Sequence, residues 1–345
     1  MRILQLTALF VLIALYALVK IPGAVLALKP YGIDLYRLGD LYRYSYLSQY
    51  RDTTEVYPHP PAKSKSNFHL FVLGDSFTGS FSKDHYPTVK QYSFANWNQF
   101  SDRYVTLKTD SGEKNILLVT CSEKNIRLRF AKNQMGIYLA KSAPKGKPGF
   151  QISEHPSTPA EQLKKYLGRP EVSDQNIQAI LFSNEFALRI KEFKAQFNLA
   201  VFGKIAGEVE EYKAKNMLFQ RLTTDPKYVY MSSFRELEKS EEDELINSIK
   251  RLTNHYKRVG FDSVVLAFIP NPVSVIAPNF KGQQYNQLIP KLEDRMSETG
   301  AGCISIFNDF SEGRETFYRR GDTHWNARGA KLWLNRANSY LDKIE

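Results

Sequence analysis

The chain has 345 residues, 43% hydrophobic and 24% charged, a balance that supports a packed core and excludes a chain kept disordered by low hydrophobicity. Its formal charge is +11 and its pI about 9.3, which favours anionic partners. The Lys and Arg residues are mixed with acids along the chain and no zinc-finger, RNP-type or basic-helix signature accompanies them, so no nucleic acid is expected as a partner.

In chain order, the first feature is an uncharged run from Ile3 to Val19 behind Arg2. As a helix it would extend about 25 Å, near the lower limit for crossing a bilayer. Lys20, Pro22 and Gly23 follow, and small residues near Ala27 suit a cleavage site. Residues 1–28 therefore read as a signal peptide or an uncleaved signal anchor, a transmembrane helix in the second case. Lys29, Arg37 and Arg43 beyond the run oppose export under the positive-inside bias. Long domains cross regardless of such charges, so the expectation is a membrane-anchored or exported protein with its domain on the periplasmic or extracellular side.

Residues 29–66 are Tyr-rich, carry the echo Asp34-Leu35-Tyr36-Arg37 and Asp40-Leu41-Tyr42-Arg43, and end in a Pro/Lys/Ser stretch that reads as a linker. Residues 67–345 read as one α/β domain. Five continuous apolar runs predict strands buried on both faces: Phe68–Leu73, Asn115–Cys121, Ile177–Phe182, Ser263–Ile269 and Cys303–Phe307. Between them, Leu245, Ile249, Leu252, Tyr256 and Val259 share one face of a helix predicted over Glu241–Val259. Ser240 and Asp243 have capping-box spacing at its start and Gly260 suits its stop. Trp333, Ala337, Tyr340, Leu341 and Ile344 mark a final helix at the same spacing. Alternating helices and strands imply a sheet with helices on both faces. Insertions are expected near 131–176, rich in Lys, Pro, Gly and Ser, and near 184–226, opening with a Lys/Phe-rich helix over Glu185–Asn198. Cys121 and Cys303 lie in apolar runs without metal-ligand spacing and read as buried thiols.

The chemistry concentrates in two places. Phe68–Leu73 runs into Gly74-Asp75-Ser76-Phe77, and reacting groups in α/β sheets sit just past the C-terminal ends of strands. A serine opening the next helix there would expose its hydroxyl, with helical N–H groups beside it for a developing oxyanion; an ordinary strand-to-loop turn is the plain alternative. Far along the chain, Asp322-Thr323-His324-Trp325-Asn326 precedes the final helix. Serine attack needs a base, and that base needs an acid to hold its tautomer. Asp322 and His324, two apart in an extended loop, can face one side, although a helix cap beside a structural histidine would look the same. His59, His155, His69, His255 and His85 lack such a setting and read as structural or surface residues.

The Gly74–Phe77 block resembles the first block of the SGNH/GDSL hydrolase superfamily, and Asp322–Asn326 resembles its last. The Asp-Thr-His-Trp form is similar to SGNH-like domains of periplasmic alginate O-acetylation proteins and their exopolysaccharide relatives, although there the Asp-His block precedes the serine. The resemblance covers about Phe68–Phe130 and Tyr228–Ile344. It implies a three-layer α/β/α flavodoxin-like fold and acyl-ester chemistry with Ser76, Asp322 and His324 as catalytic triad. The superfamily's oxyanion Gly and Asn blocks are not recognisable; Gly74, Asn96, Asn98, Asn184 and Asn271 are the candidates, each with a turn or cap role as alternative. Glu123 and Arg127 read as structural charges. The implied substrate is a polysaccharide or other acylated carbohydrate of the cell envelope, with export-complex partners. The competing expectation is a non-catalytic binding or scaffold protein in such a complex. With no phosphate loop, dinucleotide fingerprint or metal-ligand cluster, no cofactor and no metal are expected.

Overall fold

The computed structural model describes residues 2–18, 35–53, 55–57, 59–60, 67–96, 103–109, 112–130, 140–141, 148–154, 184–312 and 317–344. The described strands are β1 (Phe68–Gly74), β2 (Gln91–Asn96), β3 (Arg103–Lys108), β4 (Lys114–Ser122), β5 (Ala140–Lys141), β6 (Gly149–Glu154), β7 (Val209–Tyr212), β8 (Met217–Gln220), β9 (Ser263–Ile269) and β10 (Gly302–Cys303). Two compact units divide the chain: 1–54 with 156–206, and 55–155 with 207–345.

The larger unit is built on a parallel five-stranded sheet in the order β10-β9-β4-β1-β2, flanked by helices and compatible with a three-layer α/β/α core. Every residue of β1 is buried, as is all of β4 after Lys114, which is why their sequences show no polar alternation. The order places β1 and β4 centrally and brings their C-terminal ends to one edge. Smaller sheets, β5-β3-β6 and the antiparallel hairpin β7-β8, are added to this core.

Three expectations need correction. Strand β2 was not expected: its residues are mostly half-buried, as befits a strand with only β1 beside it, so it lacks the continuous apolar run that marks the interior strands. The run predicted as a strand over Cys303–Phe307 pairs only through Gly302 and Cys303, with Ile304 N–H still donating to the Leu266 carbonyl at 2.9 Å; Phe307 already begins a helix, Phe307–Glu312. The capping box is not used. The long helix starts earlier, at Lys239, after a Glu238 cap without a side-chain bond; Asp243 instead pairs with Arg295 at 2.5 Å. Its predicted apolar face is buried, and Gly260 closes it at φ 122°. The run Ile177–Phe182 and His155 lie outside the described residues.

The final helix, Ala327–Leu341, is capped by Asn326, whose Oδ1 accepts from the N–H groups of Arg328 and Gly329 at 3.0 and 3.1 Å. Trp333 is fully buried and stacks on Trp325 with ring centroids 5.9 Å apart. Both cysteines are unpaired; burial pushes the Cys121 thiol well up, and burial together with Glu293 pushes Cys303 up to about 12.

In the smaller unit, residues 35–53, inside the expected linker, form short helical turns that meet the helix Glu185–Phe202. Tyr42 donates to Glu192 at 2.7 Å, and Arg51 lies 3.3 Å from the same carboxylate. The expected insertion near 184–226 is therefore split: its helix belongs here, whereas the β7-β8 hairpin belongs to the larger unit. The apolar N-terminal run is a helix of 17 residues, Arg2–Leu18. Among the described residues no helix is long and apolar enough to cross a membrane.

Truncation of Trp333 to Ala should leave a cavity beneath the final helix and cost about 3–5 kcal/mol, read as a lowered urea midpoint.

Candidate active site

The turn carrying Ser76 follows directly from β1. Asp75 and Phe77 are buried and Ser76 between them is exposed. The segment is a single helical turn rather than the start of a continuing helix: Thr78 and Gly79 N–H groups donate to the Asp75 carbonyl at 3.3 and 3.1 Å, and regular structure then stops. Asp75 holds this turn in place. Its Oδ1 accepts from Phe77 N–H at 3.1 Å and its Oδ2 from Ser122 N–H, at the end of β4, at 3.0 Å. Gly74 is needed for close packing. A Cβ there would lie 2.1 Å from Thr78 Oγ1 and 2.5 Å from Thr120 Oγ1, hydroxyls that bond each other at 2.9 Å.

The second half of the site is a loop closed at its base. Tyr318 and Trp325 form an antiparallel bridge, Arg319 N–H donates to the His324 carbonyl at 3.1 Å, and Asn326 N–H donates to Phe317 at 2.8 Å. Tyr318 ties the base to the end of β9 by donating to the Pro270 carbonyl at 2.5 Å, and Leu218 N–H of β8 donates to Arg320 at 2.8 Å. Trp325, wholly buried, packs on Phe77, and the His324 ring lies 4.7 Å from the Phe77 ring.

This brings Ser76, His324 and Asp322 together. His324 Nε2 is 2.7 Å from Ser76 Oγ, and His324 Nδ1 is 2.6 Å from Asp322 Oδ1. Asp322 Oδ1 also accepts from His324 N–H at 2.9 Å, and Arg319 lies 3.7 Å from Oδ2. Burial works against the Asp322 charge, but the His324 hydrogen bonds and charge, with Arg319, outweigh it and hold the carboxyl below its ordinary value. An ionised Asp322 can only accept, so Nδ1 carries the ring proton and Nε2 is left to accept from the serine. The geometry is that of a base poised on an alcohol.

The oxyanion candidates fare unevenly. Asn96 ends β2 and pairs in register with Gly74, on the same edge as Ser76. Asn98 lies outside the described residues. Asn184 is a helix cap in the smaller unit, its Oδ1 accepting from Ala187 N–H at 2.9 Å. Asn271 is buried, its amide donating to Ser233 at 2.9 Å and its backbone N–H to Glu123 at 2.8 Å. Ser76 N–H makes no hydrogen bond among the described residues, which makes it an available donor beside the Ser76 hydroxyl. Glu123 and Arg127 have the structural role expected of them. Glu123 also accepts from Ser274 at 2.7 Å, and Arg127 bonds Glu241 at 2.9 Å and the Ser232 carbonyl at 3.0 Å.

Asp75, Arg319 and Tyr318 were not singled out from sequence. Asp75 had a signal, being inside the Gly-Asp-Ser block; Arg319 lies three residues before Asp322 in the same loop, and only Tyr318 depends on a distant contact, with Pro270. Of the remaining histidines, His69 bonds Ser93 at 2.9 Å and His85 bonds Ser82 at 3.1 Å. An open cleft of about 520 Å³ in the same unit is lined by Tyr212, Lys213, Phe280 and Lys281 among others, and by none of the three triad residues. Comparison with protein-family models, with curated proteins and with solved structures found no match.

Asp75→Asn keeps the size but turns an N–H₂ toward one of two backbone donors. It should cost about 1–3 kcal/mol of stability and lower Ser76 reactivity toward a fluorophosphonate at least tenfold, while exposed Asp84→Asn changes neither. Asp322 is depressed in the folded state, so its stabilisation is complete above the unfolded value of about 3.9 and is lost as pH falls through the folded value. The drop in urea midpoint between about pH 5 and pH 3 should therefore be smaller in Asp322→Asn than in the wild type.

Proposed function

We propose that the chain is a serine-dependent acyl-ester enzyme of SGNH type, with Ser76 as nucleophile, His324 as base and then acid, and Asp322 as the group orienting the imidazole. The observation that carries this reading is the unbroken hydrogen-bond chain from the exposed Ser76 hydroxyl through His324 to buried Asp322, with links of 2.7 and 2.6 Å.

Ser76 Oγ attacks the acyl carbon as its proton passes to His324 Nε2. The imidazolium is stabilised by Asp322, and Ser76 N–H is placed to donate to the oxyanion. Collapse expels the alcohol, protonated by His324, and leaves an acyl-serine. Water as the second acceptor makes the chain an esterase; a sugar hydroxyl makes it an O-acyltransferase. The acyl group in this reading is an acetyl borne by a cell-envelope polysaccharide or exopolysaccharide, a partner that the +11 charge suits if the polymer is acidic. The Arg2–Leu18 helix then serves as an export address, and export-complex components as partners.

A second reading, a non-catalytic SGNH-like binding or scaffold protein in a polysaccharide modification or export complex, is favoured by the engagement of Asn184 and Asn271 elsewhere, which removes two side-chain oxyanion donors.

The enzyme reading is tested with p-nitrophenyl acetate. Wild type should release p-nitrophenol, Ser76→Ala should abolish release, and Asp322→Asn should lower turnover by about 10⁴ through the wrong tautomer. Turnover should fall on acidification as the imidazole takes up a proton, since Asp322 is already ionised there. Equal rates in wild type and Ser76→Ala would exclude the enzyme reading, and failure of a fluorophosphonate to label Ser76 would favour the scaffold.

A further inference from the structure

The helix Glu185–Phe202 carries two unlike faces. One meets residues 42–51 through Glu192 with Tyr42 and Arg51, Lys191 with Tyr46 at 3.2 Å, and buried Leu188. The other bears Phe186, Ile190, Phe193, Phe197 and Val201, which are 75, 53, 73, 51 and 55% exposed. At 3.6 residues per turn these five fall within about 80° of arc. They form one continuous apolar stripe on a helix whose docking side is already occupied.

The charges around the stripe indicate what covers it. Arg189 borders it on one side and Lys194 on the other, both exposed; Glu185, 3.7 Å from Arg189 and 3.6 Å from Arg51, and Glu192, 3.3 Å from Arg51, lie outside the arc of the stripe. An aromatic and aliphatic face rimmed by cations, with no acid in its arc, matches the boundary between acyl chains and anionic headgroups. The same compact unit holds a second apolar element: the helix Arg2–Leu18, with Leu6, Leu9, Phe10, Val11 and Ile13 exposed. A buried protein partner would leave the two flanking cations to be desolvated; a lipid surface pairs them with phosphates.

We propose that the Phe186–Val201 face seats in the headgroup region of an anionic bilayer, as an interfacial contact separate from the N-terminal helix. The helix lies in the plane of the surface with its Phe row buried, and Arg189 and Lys194 reach up to phosphate groups. The contact does not depend on the chemistry of Ser76.

The test uses the full chain, with Ala200→Cys in a Cys303→Ser background carrying an environment-sensitive fluorophore; Ala200 is exposed at the margin of the stripe and Cys121 is buried. Vesicles of phosphatidylcholine with about one-third phosphatidylglycerol should shift the emission to the blue. In the same vesicles Phe193→Glu/Phe197→Glu should weaken partitioning at least about tenfold. Arg189→Gln/Lys194→Gln should remove most of the preference for anionic over pure phosphatidylcholine vesicles. An emission unmoved by vesicles, even if the chain cosediments through its N-terminal helix, overturns the proposal. So does a blue shift already complete without lipid and growing with protein concentration, which would assign the face to a second copy.

Discussion

Two backbone donors that no sheet ladder can satisfy, the N–H of Phe77 and the N–H of Ser122, converge on one carboxylate, and the placement of Ser76 depends on that convergence. A parallel sheet ends in strands whose next residues must find new partners away from water. Asp75 supplies both, joining the turn after β1 to the end of β4. The turn that exposes Ser76 between two buried neighbours is thereby held by two backbone hydrogen bonds to one side chain. Gly74 completes the arrangement by letting the Thr78–Thr120 pair close over the strand end.

The same edge is fastened twice more, and the buried acids that do it are pushed in opposite directions for physical reasons. Glu123 accepts from Asn271 and Ser274 at the end of β9, yet its burial dominates and its carboxyl is pushed up. Asp322 is also buried, but a histidine in contact and a nearby Arg319 reverse the balance. An acid that orients an imidazole must stay charged. Tyr318, bonded to the Pro270 carbonyl, links the Glu123 side of this edge to the loop carrying Asp322 and His324.

The smaller unit follows a different logic. Among its described residues, polar contacts of Tyr42, Tyr46 and Arg51 with one side of a single helix accompany buried Leu41, Leu47, Tyr50 and Leu188, while Phe186, Ile190, Phe193, Phe197 and Val201 face outward. A contiguous exposed apolar stripe of this kind marks a surface that meets something else.

Sequence alone determined the elements whose signal is local or periodic. Strands β1, β4 and β9 were legible because burial on both faces removes polar residues altogether, and the helix ending at Gly260 because 3.6-residue spacing records its buried side. Ser76, Asp322 and His324 were legible as residue types beside a strand end and a helix start. Only the tertiary structure decided the rest. Edge strand β2 left no apolar run because one side of it lacks a strand, and β10 is too short to register as the strand predicted there. Asn184 and Asn271 could not be told from oxyanion donors, since an amide reads identically whether it caps a helix, bonds Ser233 or faces a substrate. The approach of His324 to Ser76 across 248 positions is likewise a product of strand order. Spacing in the chain carries no record of distance in space once a sheet has reordered its strands.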